Sequence, residues 1–284
     1  MTGVGMRARL RTLGFGLTTL LGRRPRGFFL PYRYAASTVA PSHYPELDSV
    51  FRAAEPAFRT VLDDIESHAA ALEAIGTAPP PAPRWRQDWF PRMDAAAAYA
   101  IVRRHRPERI VEVGSGHSTR FMARAVADGS LATRIVAVDP APRAAIEGLE
   151  LDLRRATLQS VLDADDGLFR FGPRDVLFID SSHLLVAGSD VDLLLNRLVP
   201  RLPSGALLHV HDIFLPDGYP RIWGWRGYNE QNALAPLLGY GGFDLVFASR
   251  WAATRMASRI ERSVLARLPL PAGAWETSLW LRRR

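Results

Sequence analysis

Apolar residues recur at helical spacing near the start of the chain, at intervals of 4, 3, 4 and 3 residues. They predict a helix with one narrow apolar stripe, formed by Met6, Leu10, Leu13, Leu17 and Leu20. Gly14 and Gly16 each cost about 1 kcal/mol inside such a helix, so the helix needs a surface to lie on. Two surfaces stay open: the protein itself or a partner subunit, and an anionic membrane.

A second helical pattern covers residues 46–75 and predicts one longer helix or a kinked pair, interrupted at Pro56. Residues 77–83 have the sequence TAPPPAP, which predicts a stiff, extended linker. We therefore divide the chain into a basic N-terminal arm over 1–45, a helical extension with its linker over 46–83, and a main domain over 84–284.

After the linker, short apolar runs alternate with helical patterns. The predicted strands cover residues 110–113, 134–138, 175–179, 206–210, 243–248 and 276–281. The predicted helices cover residues 94–104, 117–128, 190–198 and 229–238. This alternation predicts an α/β fold with a mostly parallel sheet covered by helices. Ligands of such sheets bind at the carboxyl ends of the strands.

A glycine turn follows the first of these strands, with Gly114 and Gly116 between the strand and the next helix. Asp139 ends the second strand, 25 residues after Gly114, where a carboxylate can accept two hydrogen bonds from a ribose diol. Any βαβ nucleotide site can use this pair. Thr119 occupies the third glycine position of a dinucleotide fingerprint and therefore opposes an NAD site. Glu112 would repel a pyrophosphate, and it suits a cationic ligand that carries an amino group.

These motifs resemble those of the class I S-adenosylmethionine-dependent methyltransferases, in a bacterial subgroup that acts on small molecules. The family's first motif, acid-x-Gly-x-Gly, is matched by residues 112–116, and its acid at the end of the second strand is matched by Asp139. Residues 175–183, 209–217 and 228–231 follow in the same order as further motifs of the subgroup. The resemblance implies a Rossmann-like, mostly parallel seven-stranded sheet with helices on both faces, plus a helical N-terminal extension.

The resemblance also implies S-adenosylmethionine as the cofactor and assigns residues to it. Glu112, Gly114, Gly116 and Asp139 would hold its amino-acid and ribose parts, and Gln159 would hold its adenine. The other expected cofactor contacts lie in the same turn and after the fourth strand: Ser115, His117, Ser118 and Asp180.

Two polar clusters, residues 180–183 and 209–212, follow the fourth and fifth strands, where a methyl acceptor would lie. A histidine of near-neutral pKa can remove a hydroxyl proton, which makes His183 or His211 the candidate base, with Asp212 beside them. A divalent cation, magnesium or a similar metal, can instead lower the pKa of the hydroxyl, and its ligands would be Asp180, His211 and Asp212. His209 lies on the same strand face as His211 but deeper, and we interpret it as structural.

The role of two further groups of residues stays open between two interpretations. Residues 229–231 begin a predicted helix, so capping explains them most simply, and the alternative is that Glu230 faces the acceptor. Aromatic side chains concentrate around the presumed pocket, where they would stack on a sugar or planar acceptor, or cover the core. They are Trp85, Trp89, Phe90, Trp223 and Trp225.

The composition of the chain excludes several kinds of catalytic and binding chemistry. The chain has no cysteine and no lysine, which excludes thiolate nucleophiles, thiolate zinc sites, lysine Schiff bases and P-loops. Residues 1–45 contain seven arginines and no acid, whereas residues 46–284 contain 29 arginines and 29 acids. Any affinity for polyanions is therefore expected mainly in the arm.

We predict a cytoplasmic O-methyltransferase that acts on a hydroxyl of a small molecule or saccharide, with peripheral membrane or subunit contact through the arm. The main alternative is a non-catalytic cofactor-binding or membrane-surface protein. A nucleic-acid methyltransferase is disfavoured because the main domain has balanced charge and no Asn/Asp-Pro-Pro-Tyr motif, so no nucleic-acid partner is expected. An NAD-type oxidoreductase is disfavoured by Glu112 and Thr119.

Overall fold

Seven strands form the central sheet of the computed structural model, which describes residues 6–21, 32–76, 78–164 and 167–284. The strands are β1 (Arg109–Val113), β2 (Arg134–Val138), β3 (Asp152–Arg154), β4 (Val176–Ile179), β5 (Leu207–Val210), β6 (Phe243–Ala248) and β7 (Leu279–Arg283). In space they follow the order β3-β2-β1-β4-β5-β7-β6. Thr77 of the predicted linker and Arg23, Arg24 and Arg26 of the arm lie outside the described residues.

The sheet is parallel except at one edge, where β7 runs antiparallel to both β5 and β6. Strands β1, β4 and β5 are buried along nearly their whole length, as expected for central strands covered on both faces. The predicted seven-stranded, mostly parallel sheet is confirmed. Parallel pairing brings the carboxyl ends of β1, β2, β4 and β5 to the same edge, directly before the glycine turn, Asp139 and the two polar clusters.

Helices surround this sheet. Those before β2 are α1 (Met6–Leu20), α2 (Asp48–Ala53), α3 (Glu55–Ser67), α4 (Ala69–Glu73), α5 (Arg92–His105) and α6 (His117–Asp128). Those after β3 are α7 (Leu158–Ala164), α8 (Asp190–Leu193), α9 (Gln231–Gly239), α10 (Ser249–Arg255) and α11 (Ala257–Glu261). A π-helical turn over Leu194–Leu198 continues α8, and a 3-10 helix covers Arg221–Arg226.

The predicted helical stretch over residues 46–75 is divided into three short helices rather than one or two. Pro56 stands in the first turn of α3, where a proline fits because that position has no intrahelical N–H bond to lose. The proline therefore begins a helix at the predicted interruption.

Helices α2, α3 and α4 share one apolar core with the sheet. Phe51 of α2 stacks on Trp251 with ring centroids 5.6 Å apart, and Phe58 of α3 meets Phe247 of β6 edge-on at 6.0 Å. Within the predicted arm, His43 lies 3.1 Å from a carboxylate oxygen of Asp217, in the segment after β5. Residues from His43 onward are thus packed against the main domain.

Helix α1 has the predicted bounds and lies beside the 221–226 turn. Its leucines remain largely exposed, and Leu13, Leu17 and Leu20 line an apolar groove together with Trp225. Over the described ranges, no helix combines the length and the apolarity needed to cross a bilayer.

Candidate active site

A cavity of about 550 Å³ opens at the carboxyl edge of the sheet. The glycine turn and Asp139 form one end of its wall, and the residues that follow β4 and β5 form the other. Of the residues predicted to form the site, it is lined by Gly114, Ser115, Gly116, His117, Asp139, Gln159, Asp180, His183, His211 and Asp212. A volume of this size is typical of cofactor and small-molecule sites.

The glycine turn is shaped by the chain segment that faces it. Gly114 has φ +84°, and a Cβ there would come 1.8 Å from the backbone oxygen of Asp180. Only glycine allows the turn after β1 and the segment after β4 to approach this closely. The requirement at Gly114 is therefore set by protein packing.

Asp139 connects the glycine turn to the end of β2. One carboxylate oxygen accepts hydrogen bonds from the Ser115 backbone N–H (2.7 Å) and hydroxyl (3.1 Å), and the other accepts from the Ala141 N–H (2.8 Å). The carboxylate also lines the cavity, so it holds the turn in place and presents oxygen lone pairs to the cavity.

Glu112 and Ser118, two of the predicted cofactor contacts, do not line the cavity, so their contact with a ligand stays a prediction. The carboxyl of Glu112 is fully buried and accepts hydrogen bonds from the hydroxyls of Ser118 and Thr119, both 2.5 Å long. Burial raises the pKa of Glu112 to about 8, although the two hydrogen bonds act against the rise. Thr119 Oγ1 also accepts from the Gly116 N–H at 2.9 Å, which closes the first turn of α6. Thr119 thus has a structural role at the third glycine position.

His117 and Gln159 both lie in the cavity wall, as predicted. Burial, with the charges of Arg120 and Arg84, lowers the pKa of His117 to about 4, so its imidazole is neutral at physiological pH. The Gln159 side chain donates to the backbone oxygen of Gly188 at 3.0 Å. This bond leaves its amide oxygen free to accept.

Two histidine–carboxylate pairs converge at the other end of the cavity. Nδ1 of His183 lies 2.9 Å from the buried Glu230 carboxylate, and Nε2 lies 3.4 Å from Asp180 and 3.5 Å from Asp212. His211 repeats this arrangement: its Nδ1 lies 3.4 Å from the same Asp180 oxygen and 3.7 Å from Asp212. Each imidazole therefore directs one nitrogen toward Asp180 and Asp212.

The second nitrogen of His211 is held from the opposite side of the site. Its Nε2 lies 3.3 Å from Asp94, a buried residue in the first turn of α5. Asp94 also accepts from the backbone N–H groups of Thr277 (3.0 Å) and Ser278 (2.9 Å), just before β7. Asp94 thereby joins α5, β7 and the catalytic edge of the sheet.

The carboxylates make both histidines strong bases. Burial lowers the pKa of His183, but its hydrogen bonds to Asp180 and Glu230 and the charge of Asp212 outweigh this effect and hold the pKa well above 6.5. The pKa of His211 is likewise raised against burial, through the charges of Asp180 and Asp212. Burial also opposes ionisation of Asp180, yet the two imidazoles hold the pKa of its carboxyl well below its usual range.

Two residues at this end of the cavity have strained backbone conformations. His183 has φ +60° and Asp212 has φ +57°, in the left-handed region that non-glycine residues rarely adopt. Such conformations cost about 1–3 kcal/mol each and persist where the surrounding structure imposes them. Here the strain aims both side chains at the cavity.

The sequence offered Glu230 only as an alternative acceptor contact, and it did not assign Asp94 to the site. Both stand at the beginning of helices, where an acid is explained by the helix dipole alone. A second acid near a histidine is visible only in space, since Glu230 is 47 residues from His183 and Asp94 is 117 residues from His211.

His209 has the structural role predicted for it. It is fully buried, its ring stacks on Phe178 with centroids 3.7 Å apart, and its Nε2 lies 2.9 Å from the Ser278 hydroxyl. Burial is the main cause that holds its pKa well below 6.5.

The three predicted metal ligands, Asp180, His211 and Asp212, meet in the structure. Within the residues that the structure describes, however, no group of three His, Asp or Glu side chains is arranged to hold a metal ion. The imidazole nitrogens of His183 and His211 lie against the carboxylate oxygens that would bind such an ion. We derive no step through a metal, and its presence stays a prediction.

Aromatic residues and arginines complete the cavity wall. Trp223, Arg226 and Tyr228 line it beside His183, and the guanidinium of Arg226 lies 4.5 Å from the Trp223 ring and 5.3 Å from the Tyr228 ring. The Tyr228 ring is 4.6 Å from that of His183. Trp89 and Phe90 also line the cavity, although Phe90 is almost fully buried, whereas Trp85 is buried in the core and does not line it.

One part of the chain is similar to a known protein family. Residues 111–213, just over a third of the chain, match a family model described as a methyltransferase domain. A search of curated proteins by sequence gives no significant match.

Solved structures similar to this chain include the following three. The SAH-bound methyltransferase PaMTH1 of Podospora anserina is 17% identical, with 91% of this chain and 99% of that chain covered and a TM-score of 0.43. Cofactor-bound Rv0187 from MTB is 16% identical, with 90% and 99% covered and a TM-score of 0.43. A putative O-methyltransferase from Klebsiella pneumoniae is 14% identical, with 79% and 90% covered and a TM-score of 0.41. All three TM-scores are below 0.5, so we base no argument on these structures. The function proposed below is argued from the family match and from the strand order of this chain.

Proposed function

We propose that this chain, a class I S-adenosylmethionine-dependent methyltransferase by its family match and its sheet order, methylates a hydroxyl oxygen of a small-molecule or saccharide acceptor. His183 removes the hydroxyl proton. One observation carries the proposal: Nδ1 of His183 is held 2.9 Å from the buried Glu230, while Nε2 points toward Asp180 and Asp212 at the cavity.

The residues around the glycine turn fit the cofactor. Asp139 offers carboxylate oxygens for a ribose diol, and Gln159 offers an amide for an adenine at the same end of the cavity. Ser181 lies in the cavity wall, and its buried hydroxyl oxygen has no hydrogen-bond partner among the described residues, as expected for a ligand contact. The bound cofactor supplies an electrophilic methyl group on a positively charged sulfur.

Glu230 sets the state in which His183 acts. A carboxylate accepts the Nδ1–H bond and so fixes the tautomer whose Nε2 carries the free lone pair. This nitrogen can accept the proton of an acceptor hydroxyl placed in the cavity. Asp180 and Asp212, 3.4 and 3.5 Å from Nε2, then stabilise the imidazolium that forms.

His183 is favoured over His211 as the base by its position. Its ring contacts Tyr228, on the wall that we assign to the acceptor, whereas the ring of His211 packs on the buried Phe90 with centroids 5.2 Å apart. We assign His211 the role of orienting Asp180 and adding positive charge near the reacting oxygen.

The acceptor class is supported by the wall around His183. Trp223 and Tyr228 offer flat apolar faces, which stack on sugars or on planar rings. A hydroxyl needs a base for its deprotonation, and the neutral imidazole of His183 can supply one here. An amine or carboxylate acceptor would need such a base less.

The test is incubation of the protein with isotopically methyl-labelled cofactor and a metabolite extract, with and without a chelator. We expect a labelled product bearing an O-methyl group, formed by the wild type and lost in His183→Gln. Cofactor binding, measured by calorimetry, should persist in that variant. Binding without turnover on any extract would favour a non-catalytic cofactor-binding protein, and product loss on chelation would restore the metal mechanism.

A further inference from the structure

The apolar stripe of α1 is left open by the fold. Leu10, Leu13, Leu17 and Leu20 are between 50% and 63% exposed, although they lie on one face of the helix. Exposed leucines in a row are unusual on a soluble surface without a partner. The helix therefore presents an unpartnered apolar face.

The turn over residues 221–226 extends this face. Ile222 is 54% and Trp225 41% exposed, and Trp225 lines the groove of about 520 Å³ along α1. Two other residues of the same turn, Trp223 and Arg226, line the catalytic cavity. The apolar surface and the cavity are thus adjacent, on opposite sides of one short segment.

The segment that carries this surface is rich in arginine. Residues 1–45 contain seven arginines and no acid, and the side chains of Arg7 and Arg11 are exposed on α1. Arg221 is exposed at the start of the 221–226 turn. Leucine and tryptophan beside arginine form the composition with which interfacial helices bind anionic membranes.

We propose that α1 and the 221–226 turn form a docking surface for an anionic phospholipid bilayer. The leucines and Trp225 enter the boundary between headgroups and acyl chains, and the arginines neutralise lipid phosphates. A second copy of the chain is a poorer occupant, because it would bring an equally positive arm to the same face. Docking places the mouth of the cavity next to the lipid, and the proposal does not depend on which acceptor is methylated.

The test is co-sedimentation of the full chain with vesicles of mixed phosphatidylglycerol and phosphatidylcholine, compared with phosphatidylcholine alone. We expect binding to the anionic vesicles only, weakened by high salt. Replacing Leu13 and Leu17 together by glutamate should weaken it by about tenfold or more. Gly14→Ala should strengthen binding by about fivefold, because alanine stabilises the helix and a Cβ there meets no atom within 4 Å.

Leu270→Glu is the matched control, since Leu270 is an exposed leucine outside the docking surface. It should bind vesicles as the wild type does, and every variant should bind cofactor normally in calorimetry. The proposal fails if the full chain ignores anionic vesicles, or if the double glutamate variant binds them like the wild type. It also fails if light scattering shows that the wild type is a dimer and the double variant a monomer, because the face would then join two copies of the chain. Intact cofactor binding in those cases leaves the methyltransferase proposal untouched.

Discussion

Replacing Glu230 by glutamine tests the proposed base most directly. The side chain is fully buried, and its hydrogen bond to His183 is 2.9 Å long. Glutamine keeps the shape and an acceptor oxygen but removes the charge. The variant therefore changes the basicity of His183 without opening a cavity.

The magnitude follows from the change in one hydrogen bond. A bond to a charged group contributes about 1.5–3 kcal/mol and a neutral one about 0.5–1.5 kcal/mol, so roughly 1–1.5 kcal/mol of imidazolium stabilisation is lost. At 1.36 kcal/mol per unit, this lowers the pKa of His183 by about one unit. A weaker base removes the proton more slowly, so the rate at high pH should fall by up to about tenfold.

The assay is the pH dependence of single-turnover methyl transfer. The base must be neutral to act, and the carboxylates hold the pKa of His183 well above 6.5, so wild-type activity should rise with pH through that raised value. In Glu230→Gln the rise should begin about one unit lower and level off at a lower rate. An unchanged profile and an unchanged plateau would refute the assignment of His183 as the base.

Glu276→Gln provides the matched control for a buried glutamate. Glu276 is 6% exposed and pairs with Arg92 at 2.9 Å, and it does not line the cavity. This variant should lose stability but keep the wild-type pH profile. A shifted profile in the control would mean that any buried charge alters the assay.

Three further variants test other parts of the site. Asp139→Ala should weaken cofactor binding in calorimetry by at least about tenfold, because it removes a charged acceptor; wild-type affinity would contradict its assignment. Glu112 has a pKa raised to about 8 from 4.5, so its burial destabilises the fold increasingly as pH rises between these values; Glu112→Gln should therefore gain melting temperature relative to the wild type on going from about pH 6 to about pH 9. A constant difference between the two proteins would show that the pKa of Glu112 is not raised in the folded protein. Gly114→Ala should lower the free energy of unfolding in urea by at least about 3 kcal/mol, because the new Cβ would meet the Asp180 backbone. The control Gly188→Ala has φ +81° and no atom within 4 Å, so it should lower that free energy by only about 1 kcal/mol. Equal losses would mean that the backbone conformation alone determines the cost.

The sheet and the position of the site were predictable because their signals are local. The strands are marked by apolar runs that end just before Gly114, Asp139, Asp180 and His211. Parallel pairing of these strands brings the four residues to the same edge of the sheet. The boundaries of the predicted helices were less exact. At residues 46–75 tertiary packing of three short helices, rather than helical period, decides where each one ends.

The inner partners of the site were not predictable in the same way. Glu112 was expected to face a ligand because its motif position is that of a charged residue, but two hydroxyls of α6 turn it into a buried structural group. Glu230 and Asp94 come from distant parts of the chain; helix capping explained Glu230 most simply, and Asp94 was only the first residue of a predicted helix. Sequence spacing predicts which edge of a sheet a residue reaches. The tertiary fold decides which other side chains contact that residue.

Negative charge is concentrated at the end of the cavity that follows β4 and β5. Asp180 and Asp212 share the two imidazoles of His183 and His211, and the pKa of Asp180 is well below its usual range, so its carboxylate stays charged. Anionic oxygens beside the cavity favour a cationic ligand there, and they also raise the basicity of both histidines. In the proposed mechanism one pair of carboxylates therefore both attracts the positive cofactor and supports removal of the acceptor proton, and the left-handed backbone at His183 and Asp212 lies at the same place.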